Sequence, residues 1–93
     1  MLFRSEIPSG MAADQKCADK CYSPSIAHVS VGGTITWKNL DSAVHSATAA
    51  DGKTFDTSLI NEGASASATF KDSGTFDYMC IVHPWMKAQV IVG

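Results

Sequence analysis

Charge is scarce in this chain and evenly signed. Lys, Arg, Asp and Glu make up 17% of its 93 residues, the net charge is −2, and like charges never run together. A nucleic-acid surface or an anionic membrane therefore meets no electrostatic footprint, and neither is expected as a partner. No apolar run approaches the ~18 residues of a membrane helix, so no membrane span is expected. Residues 1–11 hold Arg4 but no apolar h-region, so no secretory signal or anchor is read in this chain. No segment carries a helical repeat strong enough to insist on, which argues against a helix-built core. Histidine is scarce, present only as His28, His45 and His83.

Against this background one stretch, Tyr78 to Lys87, is dense in metal donors. It places Cys80, His83 and Met86 in the spacing Cys-x2-His-x2-Met. Thiolate, imidazole and thioether are soft or borderline donors with no hard carboxylate among them. They suit copper far better than magnesium, calcium or manganese. A mononuclear copper site of the electron-transfer kind takes two imidazoles and a thiolate, with a weak axial ligand. The missing imidazole must be His28 or His45. His28 alternates with Ala27, Val29 and Val31 and so faces solvent from a strand. His45 follows a polar corner, Asn39-Leu40-Asp41-Ser42, and lies among small residues at a strand end. We assign His45 as the first imidazole ligand, with Ser46 beside it as a supporting residue.

Rival readings of Cys80 are a buried inert cysteine, a nucleophile paired with histidine, and a zinc ligand. The neighbouring His83 and Met86 argue against the first. No orienting or oxyanion-stabilising residue is evident for the second. Zinc takes methionine poorly, and a structural zinc site would recruit a second thiolate. Met86 by itself reads equally as core filling, but within this motif the ligand reading is favoured.

The cysteine count is odd, yet Cys17 and Cys21 as a pair and Cys80 as a ligand account for it. A disulfide between Cys17 and Cys21 implies an oxidising, extracytoplasmic compartment; free thiols on a loop are the alternative. Residues 1–16 show no periodicity and read as an N-terminal tail, leaving 17–93 as a single domain. Within it, short alternating runs are separated by turn signals at Gly32-Gly33, Asp51-Gly52 and Asp72-Ser73-Gly74. Strands are expected over 26–31, 34–38, 44–48, 64–70, 75–80 and 87–92, with Leu59 and Ile60 as buried anchors between them. The fold class is all-β, a Greek-key β-sandwich of about seven to eight strands.

Gly74 to Met86 resembles the C-terminal signature of the cupredoxins, the small type 1 blue-copper proteins. The short ligand loop is most similar to amicyanin and to archaeal plastocyanin-like members. Val31 to Asn39, followed by Asp41 and His45, resembles the segment leading to that family's first histidine ligand. The resemblance spans about Cys21 to Val92, and the Cys17/Cys21 pair is similar to that of archaeal members. It implies a cupredoxin-like domain holding one copper ion through His45, Cys80, His83 and Met86. Family members of the amicyanin and plastocyanin kind have proline where Val82 stands, so its N–H is expected to donate to the Cys80 sulfur and raise the reduction potential. Tyr is common in the family where Phe76 stands.

These features imply a one-electron carrier rather than an enzyme. Redox protein partners would dock on an apolar patch around His83 that includes Pro84 and Trp85. The alternative is a copper redox protein with an open axial position that reacts with a small molecule such as a nitrogen oxide. For such chemistry Asp41 is the one candidate acid or base read near the loop. Oligomeric state is open.

Overall fold

Alternation between half-buried threonines and a buried Ile-x-Trp core makes Thr34–Asn39 (β3) the strand from which the first sheet is built. In a computed structural model that describes residues 2–93, β3 lies between Leu2–Ile7 (β1), parallel to it, and Ser65–Thr69 (β5), antiparallel. On the outer face, cross-strand hydroxyls pair in register, Thr34 with Thr69 at 2.9 Å and Thr36 with Ser67 at 2.7 Å. Such pairs fix register where the small alanines of β5 give little packing force.

The second sheet has the order β2-β7-β6-β4, built from Ile26–Val29 (β2), Thr48–Ala49 (β4), Gly74–Met79 (β6) and Lys87–Val92 (β7). β2 runs parallel to β7, and the other pairs are antiparallel. With three strands facing four, this is the expected all-β sandwich. Among the described residues its only helical element is a 3₁₀ turn, Ala18–Lys20, and no helix is long and apolar enough to cross a membrane.

The Gly32-Gly33 turn that links β2 to β3 has a steric reason. Gly32 has φ +86°, and a Cβ on Gly33 would sit 2.9 Å from the Ser30 carbonyl oxygen. Only glycine meets both conditions.

Between the sheets lie Ile7, Ile35, Trp37, Tyr78 and Val90, all buried. Their centre is aromatic: the Trp37 indole N–H donates to the Tyr78 hydroxyl at 3.2 Å, and Tyr22 meets Tyr78 edge-on at 4.8 Å between centroids. Pairs of this kind contribute about 0.5–1.5 kcal/mol beyond area burial. Burial raises the Tyr78 hydroxyl to about 12, against smaller opposing contributions from hydrogen bonds with Trp37 and Ser5, so it stays a neutral partner.

Several sequence expectations are corrected. Residues 1–16, read as a tail, supply β1, whose Ser5 and Ile7 are buried. That run is short and the polar Ser5 sits between Phe3 and Ile7 on its inward side, so period-two patterning is weak there. The strand expected over 44–48 is reduced to Thr48–Ala49, with His45 making an isolated bridge to Ile60. Val31 and Leu59, expected inside, are exposed at 55% each: β2 ends at Val29, and Leu59 lies in no strand. Ile60 is the buried anchor, as expected. Cys17 and Cys21 form a disulfide with Cα atoms 5.1 Å apart.

Candidate metal centre

β6 ends at Met79 and β7 begins at Lys87, so Cys80 to Met86 is the link between two paired strands. Backbone bonds fold it tightly. The Cys80 N–H donates to the Met86 carbonyl (3.1 Å), the Met86 N–H to the His83 carbonyl (2.9 Å), and the His83 N–H to the Cys80 carbonyl (3.3 Å). Cys80 and Met86 are thereby sealed from solvent, whereas His83 keeps part of its ring exposed.

His45 reaches the same point from the segment that leads into β4, the neighbour of β6 in the second sheet. Its N–H donates to the Ile60 carbonyl at 3.2 Å, and the Ile60 N–H donates back at 2.6 Å. Its Nδ1 lies 3.5 Å from the Cys80 sulfur, the same distance as the His83 Nδ1. The ligand atoms of His45, Cys80 and His83 all fall within 4.8 Å of one another. Donors bound to one ion at ~2.0–2.3 Å sit about 3–4 Å apart, so a single transition-metal ion fits between them. The chemistry of the set, two imidazole nitrogens and a thiol sulfur with a buried thioether on the same loop, fits copper. His28, by contrast, is exposed on β2, as its alternation predicted.

What sequence reasoning missed is the role of Asp41. Its carboxylate is 3% exposed and accepts four hydrogen bonds: Gly10 N–H (3.0 Å) and Ser42 N–H (2.8 Å) at Oδ1, Ala12 N–H (3.0 Å) and His45 Nε2–H (2.7 Å) at Oδ2. Burial pushes this carboxyl up, but the bonds from His45, Ala12, Gly10 and Ser42 outweigh it and hold it at about 2. The expectation that no residue orients a histidine here is therefore corrected. Asp41 orients His45 through Nε2, which leaves Nδ1 facing the sulfur. The four-residue spacing from Asp41 to His45 was the available signal. It carries weight only once the corner is known to fold back on itself.

That corner is pinned by the buried Asn39. Its amide donates to the Ala43 (2.8 Å) and Ile60 (2.9 Å) carbonyls, and its Oδ1 accepts the Asp41 N–H at 2.9 Å. Ser46 fastens the two ligand segments together. Its hydroxyl accepts the Ile81 N–H at 3.0 Å and continues to Thr48 at 2.9 Å and thence to Asp56 at 3.0 Å. The Ser46 carbonyl accepts the Tyr22 hydroxyl at 2.5 Å. Burial, with smaller contributions from Cys80 and Tyr78, pushes the Tyr22 hydroxyl far up, so it remains a donor.

Burial and the adjacent His45 lower the His83 pKa, against a smaller opposing pull from Asp41, so its ring is neutral and has a lone pair for a metal at neutral pH. Among the described residues the sulfur bonds only to the two imidazoles, and the Val82 N–H is not a partner. Val82 is exposed, on the outward side of the turn closed by the His83-to-Cys80 bond. Pro84 is exposed beside His83, whereas Trp85 is half-buried against the core, its ring 5.3 Å from that of His83. Further apolar side chains, Leu40, Val44, Leu59 and Ile81, are exposed on the segments that carry or pair with the ligands.

Over residues 10–93 the chain matches the family described as copper binding proteins, plastocyanin/azurin family. Amicyanin of Paracoccus denitrificans is 30% identical over 92 residues, covering 95% of this chain and 70% of that one. Amicyanin-alpha of Methylorubrum extorquens is 28% identical over 91 residues, covering 94% and 76%. Among solved structures, a purple cupredoxin from Nitrosopumilus maritimus superposes with a TM-score of 0.87 at 30% identity, covering 98% of this chain and 99% of that one.

Proposed function

Since this chain belongs to the plastocyanin/azurin family of copper-binding proteins, we propose that it is a one-electron carrier between redox proteins. The observation that carries this reading is the convergence of His45, Cys80 and His83 ligand atoms within 4.8 Å, between buried and half-buried walls. Copper bound there supplies a Cu(II)/Cu(I) couple. His45, Cys80 and His83 would hold it, with Met86 as the axial donor. Cys80 offers a thiolate of high covalency, and the buried His45 is fixed from behind by Asp41. Each ligand is anchored by backbone or carboxylate bonds, which limits how far it can relax when charge changes. His83 reaches solvent, and it is the group through which electrons would enter and leave.

Beside it in the loop, Ile81, Val82 and Pro84 are exposed, and Leu40 and Val44 are exposed on the segment leading to His45; such apolar side chains suit brief docking of a redox partner. Trp85 supports that patch from within. The Cys17–Cys21 disulfide supports an extracytoplasmic location, since such bonds persist in oxidising compartments.

The test is the visible absorption and electron paramagnetic resonance spectrum of the copper(II)-loaded protein, with and without azide. An intense thiolate-to-copper band that azide leaves unchanged is expected. In Met86→Ala, with the axial donor removed, the band should become azide-sensitive. A band that already shifts in the unaltered protein would instead favour small-molecule redox chemistry at an open axial position. Absence of the band would overturn the assignment of Cys80.

A further inference from the structure

The Asp41 carboxylate faces donors only: amides of Gly10, Ala12 and Ser42, and the His45 ring. A carboxylate is the side chain that can accept from all of them at once, because an amide in its place would turn an NH₂ toward at least one N–H. Two of these donors come from the N-terminal segment, distant in sequence from the ligands and joined to the sandwich on both sides. Before it, β1 pairs with β3 through Ile7. After it, tight turns at Gly10–Ala13 and Asp14–Cys17 lead to the disulfide and to Tyr22, whose hydroxyl holds the Ser46 carbonyl at 2.5 Å. The segment therefore touches His45 at two removes, through Asp41 at the ring and through Ser46 at the backbone.

We propose that residues 10–22 form a clasp that belongs to the metal centre, with Asp41 as its positioning residue, and that this clasp selects the His45 nitrogen offered to copper. The inference rests on the copper reading above. Because the carboxylate accepts at 2.7 Å from Nε2, the proton resides there and the lone pair is on Nδ1, which points at the Cys80 sulfur. The negative charge behind the ring also strengthens the imidazole as a donor. It favours the more highly charged copper(II) state and so lowers the reduction potential. A clasp that slackened would loosen this hold without touching any ligand. Residues 10–16, which look like part of a tail in the sequence, would then tune the site.

Asp41→Asn is nearly isosteric and removes the charge. In the metal-free protein, nitrogen-15 NMR should show His45 as the Nε2–H tautomer, and D41N should lose that preference. In the copper-loaded protein, D41N should weaken copper(II) binding about ten- to a hundred-fold and raise the potential, with the thiolate band retained. Ala12→Pro deletes one strap amide and leaves Asp41 in place, so a smaller rise in potential is expected. It also carries the test if D41N does not fold. Folding of both variants is checked by near-ultraviolet circular dichroism of the buried Trp37 and Tyr78.

A folded D41N with the original tautomer and potential would overturn Asp41 as a positioning residue. An unchanged potential in A12P would overturn the clasp. Should the unaltered protein give no thiolate band, the carrier reading falls, while the tautomer measurement still decides whether Asp41 orients His45.

Discussion

Asp41 illustrates how a single carboxylate can be costly to bury and still stabilise the fold. Burial alone favours the neutral acid, yet four donors hold the group ionised, with a pKa of about 2 against its ordinary 3.8. A depressed folded-state pKa contributes stability that is present above about pH 4 and lost as pH falls toward 2. For a shift of this size in a group that is almost fully buried, the contribution is about 2 kcal/mol. Denaturant unfolding of the copper-free protein should therefore show D41N less stable than the unaltered chain at pH 5. The gap should narrow as pH approaches 2, and a gap that does not change with pH would contradict the assignment. The neighbouring Asn39 shows the complementary case of a neutral side chain. Its amide donors and carbonyl acceptor are all matched inside the corner, which holds the turn in the conformation that delivers His45.

At the level of elements, β1 matters most because it is least evident in the sequence. It is the parallel edge of the first sheet, and it places Ile7 with no exposed surface against the core. Replacing Ile7 with Ala should cost about 2–4 kcal/mol through lost burial and an unfilled cavity, measured by equilibrium denaturation. A cost below about 0.5 kcal/mol, typical of an exposed site, would mean that the segment is not docked. The ligand loop is the opposite kind of element. It has no strand or helix of its own, but three backbone bonds between Cys80, His83 and Met86 make it rigid. Spanning the ends of β6 and β7, it inherits the stability of the most extensively paired hairpin in the fold.

For the molecule as a whole, the carrier reading predicts that partners are met through apolar contacts rather than long-range charge, since net charge is low and apolar side chains are exposed on the ligand segments. With a net charge of −2, long-range steering is slight. Rates of electron exchange with a natural partner should change little, less than about threefold, between roughly 0.05 and 0.5 M salt. A steep decline with salt would point instead to docking through clustered charge on the partner.

The chain by itself determined the chemistry and most of the architecture. The Cys-x2-His-x2-Met spacing is local, so the donor set was legible without knowledge of the fold. Period-two alternation along β3, β5, β6 and β7 was equally plain, since one face of each strand is more buried than the other. His45 could be separated from His28 because strand alternation sends His28 outward. What tertiary structure decided were contacts between residues far apart in sequence. The role of Asp41 depends on amides near residue 10 folding over it, and that of Ser46 on meeting Ile81 beside the β4–β6 pairing. β1 needed the ladder of β3 to become a strand at all. Short, weakly patterned segments take their structure from the surface that they join. Their hydrogen bonds and burial are supplied by partners that no local window of sequence contains.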